Sequence, residues 1–154
     1  MSEWIPDEEW ATIVRNVPIV SVDLLVRVDG GLLLGKRTNE PAKGEWFIPG
    51  GRVHKGETRT EAVGRVASEE LGVDVEIVES LGAFEHIYET SEIDSVDTKH
   101  YLANGYVVDP AADQFHPDDQ HADFRVFNAV PDSLHTYVRA YVDQAESVDL
   151  DESV

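Results

Sequence analysis

Residues 17–28 read VPIVSVDLLVRV, a long apolar stretch broken by Ser21, Asp23 and Arg27. A β-branched run of this length predicts a strand buried over much of its course. Asp29-Gly30-Gly31 then carry turn chemistry, and LLLGKR at 32–37 reads as the returning strand of a hairpin. TNEPAKGE is a polar loop, and WFIP is a short strand stopped by Pro49. Gly50-Gly51 follows as a point where the backbone turns sharply or presents a carbonyl to a ligand. The strongest helical pattern runs from Thr58 to Leu71, bounded by Gly56 and Gly72, with Val63, Ala67 and Leu71 repeating every fourth residue. Further strands are predicted at VDVEIVES, GAFEHIYE, KHYLANGYVV and FRVFN. TSEIDSVDT is a loop and DPAADQFHPDDQHAD a long polar crossover. Trp4 to Val14 predicts a short amphipathic N-terminal helix, and PDSLHTYVRAYVDQAE a C-terminal one started by Pro131 and Asp132. The sum is a mixed sheet with flanking helices in one domain over 1–154, ending in a disordered acidic tail at 146–154.

Composition narrows the chemistry. Cysteine is absent, which removes disulfides, thiolate ligands and a cysteine nucleophile. Any metal would sit among oxygen or imidazole donors, a set that suits Mg2+ or Mn2+. No apolar run approaches the roughly 18 residues of a membrane span, and the acidic start MSEWIPDEEW does not resemble a secretion signal. A cytoplasmic protein without a membrane partner is therefore expected.

The formal charge is −19, from 31 acids against 12 bases. Such a balance argues against binding nucleic acid or an anionic membrane. Because the acids are spread along the whole chain, it suggests halophilic adaptation rather than only an acidic tail. It also sets a condition: an anionic ligand would need a local island of arginines and divalent cations.

The helix at 58–71 and the loop before it, PGGRVHKGETRTEAVGRVASEELG, carry the densest chemistry. At about 100° per residue, Glu70 stacks over Val66 and Glu69 over Arg65. Glu70 is then free to face a metal while Arg65 braces Glu69 or Glu57. The plain alternative is an acidic surface helix whose glutamates only hydrate it. Two glycines and Arg52 just upstream favour a ligand site.

This stretch resembles the Nudix box: Gly, five residues, Glu, seven residues, then Arg-Glu-aliphatic-any-Glu-Glu-any-Gly-aliphatic. Gly51, Glu57, Arg65, Ala67, Glu69, Glu70, Gly72 and Val73 match it, and Val66 departs from it. The resemblance implies a Nudix fold, an α/β/α sandwich with a mixed β-sheet flanked by helices. Ordinary Nudix pyrophosphohydrolases use the missing glutamate around a diphosphate under attack, and valine has no ligand atom.

GKRTNEPAKGEWFIPGGRV and DDQHADFR together look like the GDP-mannose mannosyl hydrolase branch, which also departs at the position of Val66. The likeness covers roughly residues 8 to 142 and is firmest at 31–72, 98–106 and 117–125. It implies cleavage of the sugar carbon–oxygen bond with inversion, yielding GDP and free mannose from GDP-mannose, and GDP-glucose as a second donor. It implies one Mg2+ held by atoms matching the Gly50 carbonyl, Glu70 and Gln120, a general base at His121, and arginines on the diphosphate at Arg37 and Arg52. Asp23 resembles the acid that contacts or electrostatically supports the sugar, His86 a loop-proximal active-site histidine, and Tyr101 a hydrogen-bond donor to the diphosphate. The branch is usually homodimeric, and Trp4 and Trp10 are candidates for an interface.

Each assignment has a plainer reading beside it. His121 alone is a solvated loop histidine, Asp23 a polar interruption of a strand, and His86 and Tyr101 core packing. Glu69 is open between a second metal, water-mediated support of the first, and pairing with Arg65. Two other functions stay open: a pyrophosphohydrolase acting on a nucleotide sugar or ADP-ribose, and a nucleotide-sugar binding protein without catalysis.

Overall fold

A computed structural model describes residues 4–111 and 124–152. Helix α1 spans Asp7–Asn16, with Asp7, Glu8 and Glu9 in its first turn and Arg15 in its last. That order of charge suits the helix dipole. It begins after Trp4 because Pro6 is extended, with ψ 147°, and biases the residue before it away from helix. Strand β1 (Ile19–Val28) turns through Asp29 and Gly30, both at positive φ, into β2 (Gly31–Lys36). Two successive residues with positive φ match the twist of a tight hairpin. Short strands β3 (Trp46–Phe47) and β4 (Gly50–Arg52) follow.

The box helix begins as α2 (Arg59–Val66) and ends in a π-helical turn over Ala67–Leu71. Thr58 and Glu61 form a reciprocal capping box, and Gly72 closes the far end in the left-handed region at φ 67°. Then come β5 (Val75–Tyr88), β6 (Lys99–Pro110), β7 (Phe124–Phe127), β8 (Ala129–Val130), α3 (Thr136–Gln144) and β9 (Asp151–Glu152).

The main sheet runs β3-β2-β1-β6-β5, with β4 added to β1 and β7 to β2. It is mixed, because β1 and β6 are parallel and the remaining pairs antiparallel. Alternation along β1 feeds two cores. Leu25 joins Val138 and Tyr141 of α3, whereas Val22, Leu24 and Val26 join Ala62, Val63 and Val66 of α2. One helix thus covers each face, and the α/β/α sandwich expected from the sequence is present.

Local details differ from expectation. Gly50-Gly51 is a strand segment, antiparallel to β1 with Asp23 opposite Gly50. The two strands expected at 73–80 and 82–89 are one long strand, in which register shifts at Ile77/Glu79 and Ser80/Gly82 absorb extra residues. Helix α3 starts later than Pro131 because the His135 imidazole caps it, Nδ1 accepting from the Tyr137 amide at 3.1 Å. In the acidic segment from 146, Ser147 donates from its amide and hydroxyl to Glu79 at 2.9 and 2.6 Å, and β9 runs parallel to β8.

Candidate active site

Arg65 ties the box together. Its Nε donates to Glu57 at 2.8 Å, Nη2 to Glu57 and to the Arg52 carbonyl at 3.0 and 2.7 Å, and Nη1 to Glu69 at 3.0 and 3.3 Å. Glu57 also accepts from the His54 amide at 2.9 Å. The Arg65 guanidinium, with that amide, holds the Glu57 carboxyl down at about 2. Two carboxylates of the motif are therefore engaged in latching the 52–57 loop onto the helix. Arg65 braces Glu57 and Glu69 together, not one of them.

Val66 faces the core and is 2% exposed. One turn on, the helix widens into the π turn that carries Glu69 and Glu70. Such a widening shifts the facing of both residues from the α-helical register assumed from spacing, and π turns often occur at functional sites. Both glutamates lie on the exposed side of the turn.

A cavity of about 450 Å³ brings together Asp23, Arg37, Gly50, Arg52, His86 and Tyr101. Asp23 is 9% exposed and accepts a hydrogen bond from the Tyr141 hydroxyl at 2.7 Å. Burial pushes its carboxyl up to about 7, against the opposing pull of Tyr141 and of Arg37. A buried acid poised near neutrality in a cleft is a candidate for chemistry. Gly50 belongs there for steric reasons: a β-carbon would collide with the Asp23 carboxylate and stand 2.6 Å from the Val22 carbonyl. Arg37 is oriented by donating from Nε to the Pro41 carbonyl at 2.6 Å.

His86 is 3% exposed and stacks flat on Tyr137, with centroids 4.3 Å apart. Burial and the neighbouring His135 bring it down to about 4, so it is neutral near pH 7. Its Nε2 has no hydrogen-bond partner among the described residues. An orphaned buried nitrogen is costly unless a ligand completes it.

Spacing alone did not point to Tyr141, Tyr88 or Lys99. Tyr88 lines the same cavity. Lys99 is 5% exposed, donates to both oxygens of Glu92 at 2.8 Å, and lies 5.0 Å from the Tyr101 ring centre. A lysine at the start of an apolar strand usually marks its solvent end, and here that signal misleads.

The family resemblance implies a divalent cation at the Gly50 carbonyl and the Glu70 carboxylate; Gly50 lines the cavity and Glu70 is exposed on the π turn. Carbonyl and carboxylate are both hard oxygen donors, a fit to Mg2+ or Mn2+. Among the described residues no three His, Asp or Glu side chains form a metal cluster. Gln120 and His121 lie outside the described residues.

The NUDIX domain family model matches residues 17–148. The low-salt glycan biosynthesis protein Agl8 of Haloferax volcanii is 55% identical over 139 residues, covering 90% of this chain and 89% of that protein. An ADP-ribose pyrophosphatase of Methanocaldococcus jannaschii is 33% identical over 116 residues, covering 74% of this chain and 65% of the other. Among solved structures, a MutT NUDIX hydrolase from Burkholderia pseudomallei aligns with a TM-score of 0.62 at 29% identity, covering 82% of this chain and 97% of that one. No helix among the described residues is long and apolar enough to cross a membrane. With its box, its sandwich and these matches, the chain belongs to the Nudix hydrolase family.

Proposed function

We propose that the protein hydrolyses GDP-mannose to GDP and mannose, water attacking the anomeric carbon with inversion, and that GDP-glucose is a second donor. The observation that carries this reading is Val66. It is a core residue, while Glu57 and Glu69 are bound to Arg65, so the box offers fewer carboxylates than attack on a diphosphate would call for. A divalent ion held by the Gly50 carbonyl, Glu70 and Gln120 would supply charge neutralisation for the diphosphate. Arg37 and Arg52 bind and orient that group through planar, multiply donating guanidinium forks. His86 and Asp23 receive the sugar: the orphaned Nε2 takes a hydroxyl, and the buried carboxyl faces the carbon where positive charge grows. His121 removes the proton from the attacking water. The Haloferax relative's name, a glycan biosynthesis protein, supports a sugar-bearing substrate.

The second reading is diphosphate cleavage, favoured by Glu69-Glu70 on the π turn and by the name of the Methanocaldococcus relative. Hydrolysis in 18O-water separates the two. Label in mannose, with GDP as co-product and β-mannose as the first anomer, supports the proposal. Label in phosphate, with GMP and mannose-1-phosphate, overturns it.

A further inference from the structure

We propose that α1 and the residues just before it form the nucleobase end of the substrate cavity, with Trp4 as the stacking platform. This rests on the nucleotide-sugar reading above and adds to it how the base is recognised.

The cavity lining holds two unlike groups, Asp23, His86 and Tyr88 on the one hand and Trp4, Ile5 and Trp10 on the other. The two arginines divide between them. Arg37 acts electrostatically on Asp23 and Tyr88, while the Arg52 guanidinium lies 5.7 Å from the Trp10 ring centre. A diphosphate spanning both arginines therefore points its sugar toward Asp23 and its nucleoside toward α1.

The α1 end is a built wall. Trp10 donates its indole N–H to Glu92 at 3.2 Å, and Glu92 in turn holds Lys99, whose ammonium lies 5.5 Å from the Trp10 ring centre. A cation over an indole face is favourable, and more so where water is excluded. These contacts fix Trp10 beside Arg52 and occupy its only donor. Trp4 is the opposite case: it lines the same cavity but is 76% exposed. A large aromatic this exposed on the lining of a cavity that holds two arginines offers a ring face on which a base can stack.

Trp4 and Ile5 carry no side-chain acceptor, the Trp10 donor is taken by Glu92, and the one side-chain donor left among the three is the Trp4 indole N–H. A base on this wall is therefore met chiefly through its ring face. Stacking is tolerant, since every base has a π face, and it favours the larger purines. Base selectivity at this end is accordingly shallow, with guanine and adenine accepted alike.

Calorimetric titration of the full-length protein in magnesium buffer with GDP, ADP, UDP and methylenediphosphonate tests this. The wild type is expected to bind GDP and ADP within about tenfold of each other and UDP more weakly. Trp4→Ala should weaken GDP about tenfold and leave methylenediphosphonate unchanged, whereas Trp4→Phe should retain most of the affinity. Unchanged GDP affinity in Trp4→Ala overturns the subsite, as does an equal loss for GDP and methylenediphosphonate. A wild type preferring GDP over ADP by more than about a hundredfold overturns recognition by stacking, because such a gap needs polar contacts to the base edge. Product analysis on the wild type is independent of Trp4, so release of GMP would defeat the proposed reaction without touching this subsite.

Discussion

Val66 packs directly beneath Gly51: a β-carbon built on that glycine would stand 3.0 Å from Val66 Cγ2. The side chain at this box position is thus part of the α2 core and supports the strand that bears Gly50 and Arg52. Val66→Glu should therefore bury a carboxylate among Val22, Leu24 and Val63 instead of adding a metal ligand. We expect a loss of about 3 kcal/mol or more. Denaturant unfolding measures it, and no gain of GMP formation is expected from the variant. A stable variant that gains diphosphate cleavage would show that the side chain reaches the metal after all.

Glu57 gives a pH signature. Its folded carboxyl sits at about 2, below its ordinary value of 4.5, because Arg65 and the His54 amide favour the ionised form. A depressed folded value means the stabilisation is complete above the unfolded value. It is lost as pH falls from there through about 2. Glu57→Gln should cost roughly 2 kcal/mol at pH 7 through loss of a charge-assisted pair. The gap to wild type should close in unfolding experiments taken down toward pH 2.5. A gap independent of pH would mean that the latch is not ionic.

Much of this site was legible because its signals are local. The Gly51-to-Val73 spacing, the Thr58 cap and the Gly72 stop all lie within one loop and helix, where period and capping chemistry are readable. Asp23 drew attention as a lone acid in an apolar strand. Its partner did not, because Tyr141 is 118 residues away and reads as one more apolar position of an amphipathic helix. The same holds for Tyr137 under His86 and for Lys99 with Glu92 and Trp10, contacts created by sheet order rather than by spacing. The π turn was invisible for a different reason. Its residues have ordinary helix composition, and only the hydrogen-bond register distinguishes it. Of the two readings of Gly50-Gly51, the sharp turn is the one that does not form: close approach of the Asp23 carboxylate requires Gly50 inside a sheet.

Gly50→Ala tests that close approach. The added methyl meets Asp23 and a backbone carbonyl, neither of which yields easily. Overpacking of this kind costs about 1–3 kcal/mol. Displacement of Asp23 by about 1 Å should lower turnover on the order of 100-fold. Gly64→Ala in α2 is the control, since a β-carbon there meets nothing within 4 Å. It should stabilise the helix by roughly 0.5–1 kcal/mol and leave kcat intact. Equal effects of the two substitutions on activity would remove the steric argument.

The charge balance bears on stability as a whole. With 31 acids against 12 bases, described ion pairs such as Arg27–Asp109, Arg65–Glu57 and Lys99–Glu92 neutralise only part of the negative surface. The remaining repulsion is long-ranged in dilute buffer, where the screening length is about 10 Å at 0.1 M, and falls to about 3 Å at 1 M. Salt should therefore stabilise the fold, raising the melting temperature by several degrees between 0.1 and 1 M on the order of the Debye change. The exposed strand β5 offers a direct check, because Glu76, Glu85 and Glu89 are exposed on or beside it and take no part in the ion pairs just named. Replacing all three by Gln should raise the low-salt melting temperature and reduce its further rise with salt. If the wild type melts at the same temperature from low to molar salt, like-charge repulsion does not limit this fold. If the triple variant keeps the full salt response, the repulsion is centred elsewhere than on β5.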